Sequence, residues 1–375
     1  MKDVLHRVRI AGAGSFLPNE PVPNDRIDDV LGPIDGAPER VQTFMRTVGR
    51  RMLEHSGVEK RHFAIDAETN QLTHTIASLG EGAARRALEM SGHAPEDVEF
   101  LVISSPTFDA GTPPTSALLQ QRLGIERCAE MEIHSNCSGI GKSMQVAYDA
   151  MRLGRYRTAL VVYSQLSSVY LRSCYFNQPI MTKTQAALRY ILADGAGAVV
   201  LESDPDAGPG DLRGEVLGTH IESIGGKRDP AMTCGGGVQD IMSGKNPIEA
   251  MYHLGLHHLD QDFSAVNKLA GPLLFEGLLR MLAKLECDSA SIDHYVLSIP
   301  TKQLYDENAT FIERLGVSDQ NVRFRSNHCG YCGGATLLIH LDEMVRSGEL
   351  QRGQTAAVYS VESSKWMSAG FVVRW

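Results

Sequence analysis

The stretch "MEIHSNCSGIGKS", residues 131–143, sets Cys137 between an apolar run and a segment of helical periodicity. At such a strand-to-helix turn the free amides of a helix N-terminus point toward the sulfur, and the helix dipole favours thiolate over thiol. The chemistry that placement serves is nucleophilic: a sulfur that takes up and hands on an acyl group. The plainer alternative is a small apolar core residue, the usual state of a free cysteine. The other cysteines are Cys128, Cys174, Cys234, Cys287, Cys329 and Cys332, an odd total of scattered thiols in a chain without a signal segment, so reduced thiols are expected. Cys329 and Cys332 form a C-x-x-C in "HCGYC". A structural zinc site needs four ligands, and no second pair of suitable spacing is present, so no metal is expected. The short glycine patterns "AGAGS" and "DGAGA" lack the full dinucleotide fingerprint and read as close-packing glycines.

The elements that must position Cys137 repeat. "EFLVISSPT" at 99–107 and "DHYVLSIPT" at 293–301 share one design, as do "ALVVYSQLSS" at 159–168 and "TAAVYSVESS" at 355–364. Between them "SNCSG" at 135–139 faces "SNHCG" at 326–330, so three matches fall in one order at nearly one offset. Continuous Val, Ile and Leu strands alternating with amphipathic helices predict an α/β fold whose parallel-rich sheet is covered on both faces. Two similar halves follow, 1–205 with the nucleophile turn and 206–375, joined near "LESDPDAGPGDLRGE" at 201–215, with the site expected at their junction. The stretch from about 220 to 275 has no clear period and reads as an insertion serving as a lid or entrance wall.

Composition limits the rest. Hydrophobic residues make up 43% of the 375, enough for a sizeable core, yet the longest apolar runs fall far short of the roughly 18 residues of a membrane span. The N-terminus carries no signal-peptide pattern, so a cytoplasmic protein is expected. A net charge of −9 with no basic and aromatic run argues against nucleic acid, while local arginines leave phosphate-bearing small ligands open.

From "IAGAGSFLPNEPVPND" through "MLEHSGVEKRHFAID", "LLQQRLGI", "HSNCSGIGKSMQVAYDAMRLGRYRTALVV" and "ADGAGAVVLE" to "LIHLDEMVRSGELQRGQTAAVYS", the chain resembles the thiolase-fold condensing enzymes, within them the β-ketoacyl-acyl-carrier-protein synthase III branch. The resemblance runs nearly end to end. It implies a thiolase fold, two duplicated βαβαβ-type halves stacked as a layered αβαβα core, with Cys137 as nucleophile. In that family a histidine and an asparagine stabilise charge on the thioester oxygen during decarboxylative condensation. Here Ser298 stands at the histidine position and Tyr331 at the asparagine position, and the glycine-rich turn near the C-terminus is replaced by "SVESSKWMS", which contains Glu362. Ordinary decarboxylative elongation is therefore not expected, whereas acyl transfer to a hydroxyl, amine or thiol needs only a nucleophile, a base and an oxyanion hole.

For the base, His328 would approach the site if its loop shifts, and Glu362 is a second candidate; a solvated histidine and a surface carboxylate are the plain alternatives. His134 is expected to pack in the interior. The pantetheine rim maps to Arg51 and His55, which replace an aromatic and an arginine, and to Lys302 and Gln303; surface charges kept for solubility are the alternative. The expected function is acyl transfer from a coenzyme A or carrier-protein thioester through Cys137 to an acceptor in a specialised polyketide, fatty-acyl or alkaloid-like pathway. No cofactor is implied beyond the phosphopantetheine arm of the substrate. The expected partners are acyl-CoA or acyl carrier protein and a second thiolase-fold subunit, as homodimer or heterodimer. The rival reading is a degenerate, non-catalytic subunit paired with an active homologue.

Overall fold

A computed structural model describes residues 5–211, 213–241 and 246–375. Residue 212, in the join, and residues 242–245, in the segment read as an insertion, lie outside the described residues. Nine strands form one mixed sheet: β1 (Arg7–Phe16), β2 (Phe100–Ser105), β3 (Ala129–His134), β4 (Thr158–Gln165), β5 (Gly195–Asp204), β6 (Glu215–Ser223), β7 (His294–Leu297), β8 (Thr355–Glu362) and β9 (Met367–Arg374). Their order is β7-β8-β9-β6-β1-β5-β4-β2-β3. Strands from residues 7–204 therefore lie on one side and those from 215–374 on the other, meeting at the single β1–β6 pair Arg9–Glu215.

Only β2–β3, β2–β4 and β7–β8 pair in parallel, and every other neighbour is antiparallel. The parallel-rich sheet expected from the sequence is thus corrected to a mixed one. The continuous apolar runs report burial on both faces, not strand direction.

Helices α1 (Arg50–Ser56), α2 (Ile76–Ser91), α3 (Thr115–Leu123), α4 (Gly139–Arg152), α5 (Lys183–Leu188), α6 (Phe263–Lys284), α7 (Lys302–Glu307) and α8 (Ala335–Ser347) complete the parts that matter here. Ile140, Met144, Ala147 and Met151 on α4 and Leu337, Leu338, Leu341 and Met344 on α8 fall at helical spacing and form the central core between the two parts of the sheet. Helix α2 packs through Leu79, Ala83, Ala87 and Leu88 on one outer face, and α6 through Leu274, Leu278 and Met281 on the other. The chain is thereby layered αβαβα.

Local chemistry sets these elements. Thr75 and Ser78 cap α2 reciprocally, and Asp262 caps α6 by accepting from the Ala265 amide at 2.9 Å. A Cβ on Gly14, in "AGAGS", would sit 2.4 Å from the Ala83 carbonyl oxygen, so that glycine lets α2 lie directly on β1. Buried Asp194, in "DGAGA", accepts from the amides of Ala64 and Ser168, tying two loops to the start of β5.

Two sequence expectations change. Helix α6 begins at Phe263, so the aperiodic segment ends there, and its second part belongs to the helical core. Helix α4 starts at 139 and α8 at 335, an offset of 196, whereas "SNCSG" and "SNHCG" are offset by 191. The second motif therefore lies in the loop ahead of α8, and its match to the nucleophile turn is in letters rather than in place. Among the described residues no helix is long and apolar enough to cross a membrane.

Candidate active site

Cys137 sits in the four-residue turn between β3 and α4, which begins one residue after Ser138. Helix α4 is pressed against β9 because Gly141 lacks a side chain: a Cβ there would lie 2.6 Å from the Ala369 carbonyl carbon and the Gly370 nitrogen. That contact fixes the depth of the turn.

The sulfur faces an apolar cavity of about 460 Å³. Its wall includes Met52 and Ser56 of α1, Ala187 of α5, Phe263 and Ala270 of α6 and Leu304 of α7, together with Phe44 and Met232 from outside these helices, with Ser298 and Tyr331 beside Cys137. The Tyr331 hydroxyl donates to Cys137 Sγ at 3.0 Å. Ser298, just past β7, accepts from the Val361 amide at 3.3 Å and faces the Tyr331 hydroxyl. Burial raises the Tyr331 phenol well above its ordinary value, so it is a neutral donor at physiological pH. The two positions where the sequence places substitutes for the usual helpers thus converge on the sulfur.

The turn is floored by a buried charge network. Glu362, at the end of β8 and 2% exposed, accepts from Ser135 Oγ at 2.7 Å, Ser138 Oγ at 2.6 Å and the Ser138 amide at 3.3 Å. Lys142, one turn into α4, donates to Ser135 Oγ at 2.7 Å and stands 3.8 Å from Glu362. Burial pushes the Glu362 carboxyl up, but the Lys142 ammonium and the hydroxyls of Ser138, Ser364 and Ser135 outweigh it and hold the group below the usual carboxylate range. The result for Cys137 is the reverse of activation. Burial and the Glu362 charge, opposed by the Tyr331 donor, push the thiol up to about 12.

The remaining candidates fall elsewhere. His328 is not in the cavity wall; it is exposed, with Nε2 2.6 Å from Glu343 Oε1 on α8, and that bond raises its pKa. The expectation that His328 approaches Cys137 is corrected, since its loop turns outward and its ring is engaged at the surface. His134, expected inside, ends β3 in an exposed position because β3 is the edge strand of the sheet. Among the rim residues Gln303 lines the cavity, while Lys302 pairs with Asp306, and Arg51 and His55 are exposed on α1 beside the lining residues Met52 and Ser56. Cys329 and Cys332 are fully buried, and among the described residues no group of three or more His, Cys, Asp or Glu is placed to hold a metal ion.

Sequence reasoning passed over Lys142 and the buried serines. Lys142 carried little signal: it falls on the side of α4 opposite Ile140, Met144, Ala147 and Met151, where a lysine is ordinary. Met232, Phe263 and Ala270 lay in the segment without periodicity, and nothing in it marked them as cavity wall.

With this geometry in hand, comparison with known proteins gives one consistent answer. Residues 131–223 match the family described as 3-oxoacyl-[acyl-carrier-protein] synthase III, and residues 282–375 match its C-terminal counterpart. The β-ketoacyl-[acyl-carrier-protein] synthase III of Xanthomonas campestris pv. campestris (strain 8004) is 28% identical over 346 residues, 92% of each chain. Among solved structures, AbyA1, a tetronic acid condensing enzyme, is 24% identical with a TM-score of 0.73, covering 98% of this chain and 100% of its own. A priming β-ketosynthase from a polyketide biosynthetic pathway is 20% identical with a TM-score of 0.77, covering 100% and 97%. These structural likenesses establish the fold.

Proposed function

The chain is a β-ketoacyl-acyl-carrier-protein synthase III-like condensing enzyme of the thiolase fold, and from that premise we propose that it transfers an acyl group from a coenzyme A or carrier-protein thioester through Cys137 to a nucleophilic acceptor, without decarboxylation. The observation that carries this reading is the Tyr331 hydroxyl 3.0 Å from Cys137 Sγ, in a cavity whose wall contains no histidine among the described residues. A tyrosine donor can accompany a proton between two sulfurs. It does not supply the two oriented donors that an enolate requires, and losing one such donor costs on the order of 10²–10³ in rate.

The donor thioester enters between α1 and α7, whose Ser56 and Gln303 both line the cavity. In the first step the Cys137 sulfur bonds to the acyl carbon, the bond from that carbon to the pantetheine sulfur breaks, and the thiol proton ends on the departing pantetheine sulfur. In the second, an acceptor hydroxyl, amine or thiol bonds to the acyl carbon, the bond to Cys137 breaks and the acceptor's proton returns to the sulfur. Tyr331, in contact with the sulfur, stabilises it whenever it carries charge. The acyl chain lies along Met232, Phe263 and Ala270. The resemblance to tetronate and polyketide-priming enzymes supports a place in specialised biosynthesis.

The test is to charge the enzyme with acyl-CoAs from acetyl to dodecanoyl and offer acceptor alcohols, amines and thiols in parallel with malonyl thioester. Products equal in mass to donor acyl plus acceptor uphold the reading; products formed only with malonyl thioester and loss of carbon dioxide overturn it.

A second reading, a non-catalytic subunit, is favoured by the high pKa of Cys137 and by the exposed edge strand β3, with Met131 outward. It requires co-purification with an active thiolase-fold homologue and activity of that complex surviving Cys137→Ala.

A further inference from the structure

We propose that Glu362 is a positioning residue that holds Cys137 as a neutral thiol at rest and, on the acyl-transfer reading above, keeps the acyl group on the sulfur until an acceptor arrives. The geometry is that of a negative charge placed on a helix N-terminus. Helix α4 would direct its free amides and its dipole toward the Cys137 turn and stabilise a thiolate. The Ser138 amide is instead bonded to Glu362 Oε2 at 3.3 Å, and the hydroxyls of Ser135 and Ser138, which could otherwise turn toward the sulfur, donate to the same oxygen. The positive end of the helix is thereby spent on a fixed carboxylate.

The groups that face Cys137 come from four elements. Tyr331 comes from the loop before α8, Tyr163 from β4 and Glu362 from β8, while Lys142 of α4 reaches the turn through Ser135. Both tyrosines are neutral, and of the Glu362–Lys142 pair it is the carboxylate that bears on the sulfur and opposes its ionisation.

Two consequences follow for the chemistry. A thiol is a slower nucleophile than a thiolate toward adventitious electrophiles, which protects the resting site. A sulfur of high pKa is also a poor leaving group, so the thioester formed on it resists water until the departing sulfur is protonated.

The probe is iodoacetamide, which only the thiolate attacks, forming a sulfur–carbon bond as iodide leaves; peptide mass mapping separates Cys137 from the exposed Cys174 and Cys234. In the intact wild-type chain the Cys137 rate should keep climbing with pH past the ordinary thiol value of roughly 8.5. Glu362→Gln, which keeps the side chain's shape and removes its charge, should move that profile down by about one pH unit, roughly a tenfold faster reaction at pH 7.5. The same variant should hold an acyl adduct for a shorter time in the absence of acceptor. A Glu362→Gln profile that is unmoved or moved upward overturns the proposal. If that variant does not fold, the wild-type profile decides alone, because a Cys137 titrating at or below 8.5 overturns it equally. Iodoacetamide needs no thioester, so failure of the acyl-transfer reading, seen as absence of any acyl adduct, is distinguishable from failure of this inference.

Discussion

Tyr331→Phe isolates the contact on which the acyl-transfer reading turns. The ring belongs to an apolar cluster with Leu188, Tyr190 and Leu192 and is 7% exposed, so phenylalanine keeps the packing and removes one oxygen. What is lost is the donor 3.0 Å from Cys137 Sγ. A hydrogen bond to a charged group contributes about 1.5–3 kcal/mol net, which corresponds to roughly 10- to 150-fold in rate if the bond matters only when the sulfur is charged. The Tyr331 donor also opposes the upward push on the Cys137 thiol, so its removal raises that pKa further and slows iodoacetamide at any fixed pH. The assay is single-turnover acylation followed by intact-protein mass spectrometry, with alkylation measured alongside. Acylation and alkylation slowed together, with an unchanged melting temperature, are expected. Wild-type rates for both would refute the reasoning, because a hydroxyl that donates to the sulfur would then contribute nothing.

Further outcomes follow from the same geometry. Gly141→Ala drives a methyl into the β9 backbone and should cost about 1–3 kcal/mol or more in urea unfolding, with acylation reduced because the Cys137 turn moves with α4. His328→Ala should leave acylation within about twofold of wild type and change stability by no more than about 1 kcal/mol, since it removes an exposed pair with Glu343 and an exposed contact with Asn327. His340 is fully enclosed, and burial, aided by Arg325 and His328, pushes it down to about 3 from the 6.5 of an unfolded chain. The unfolded state therefore binds a proton that the native state refuses, and stability falls as pH drops from about 6.5 toward 3. Urea midpoints at pH 7 and pH 5 should diverge more for wild type than for His340→Gln.

The parts of this molecule that could be read from sequence are those fixed by local pattern. The runs at 99–107 and 293–301 became β2 and β7, each paired in parallel with a neighbour in its part of the sheet, because continuous apolar residues bounded by polar ones are a local signal. Cys137 was placed at a strand-to-helix turn for the same reason. What escaped was long-range pairing. Glu362 meets Ser138 across 224 positions, and nothing near "SVESS" distinguishes a buried carboxylate from a surface one. His328 was drawn toward the site by a letter match, while the true offset between α4 and α8 differs by five residues, enough to turn the ring outward. Strand direction escaped too, since burial on both faces gives parallel and antiparallel strands the same apolar run.

The central claim, that Cys137 accepts an acyl group from a thioester, is met most directly by intact-protein mass spectrometry of the wild-type chain and of Cys137→Ala after exposure to acyl-CoA and acyl-carrier-protein donors. The account predicts one acyl mass added to wild type, mapped to the peptide containing Cys137, and none on the variant. No adduct with any donor, or an equal adduct on Cys137→Ala, would contradict it.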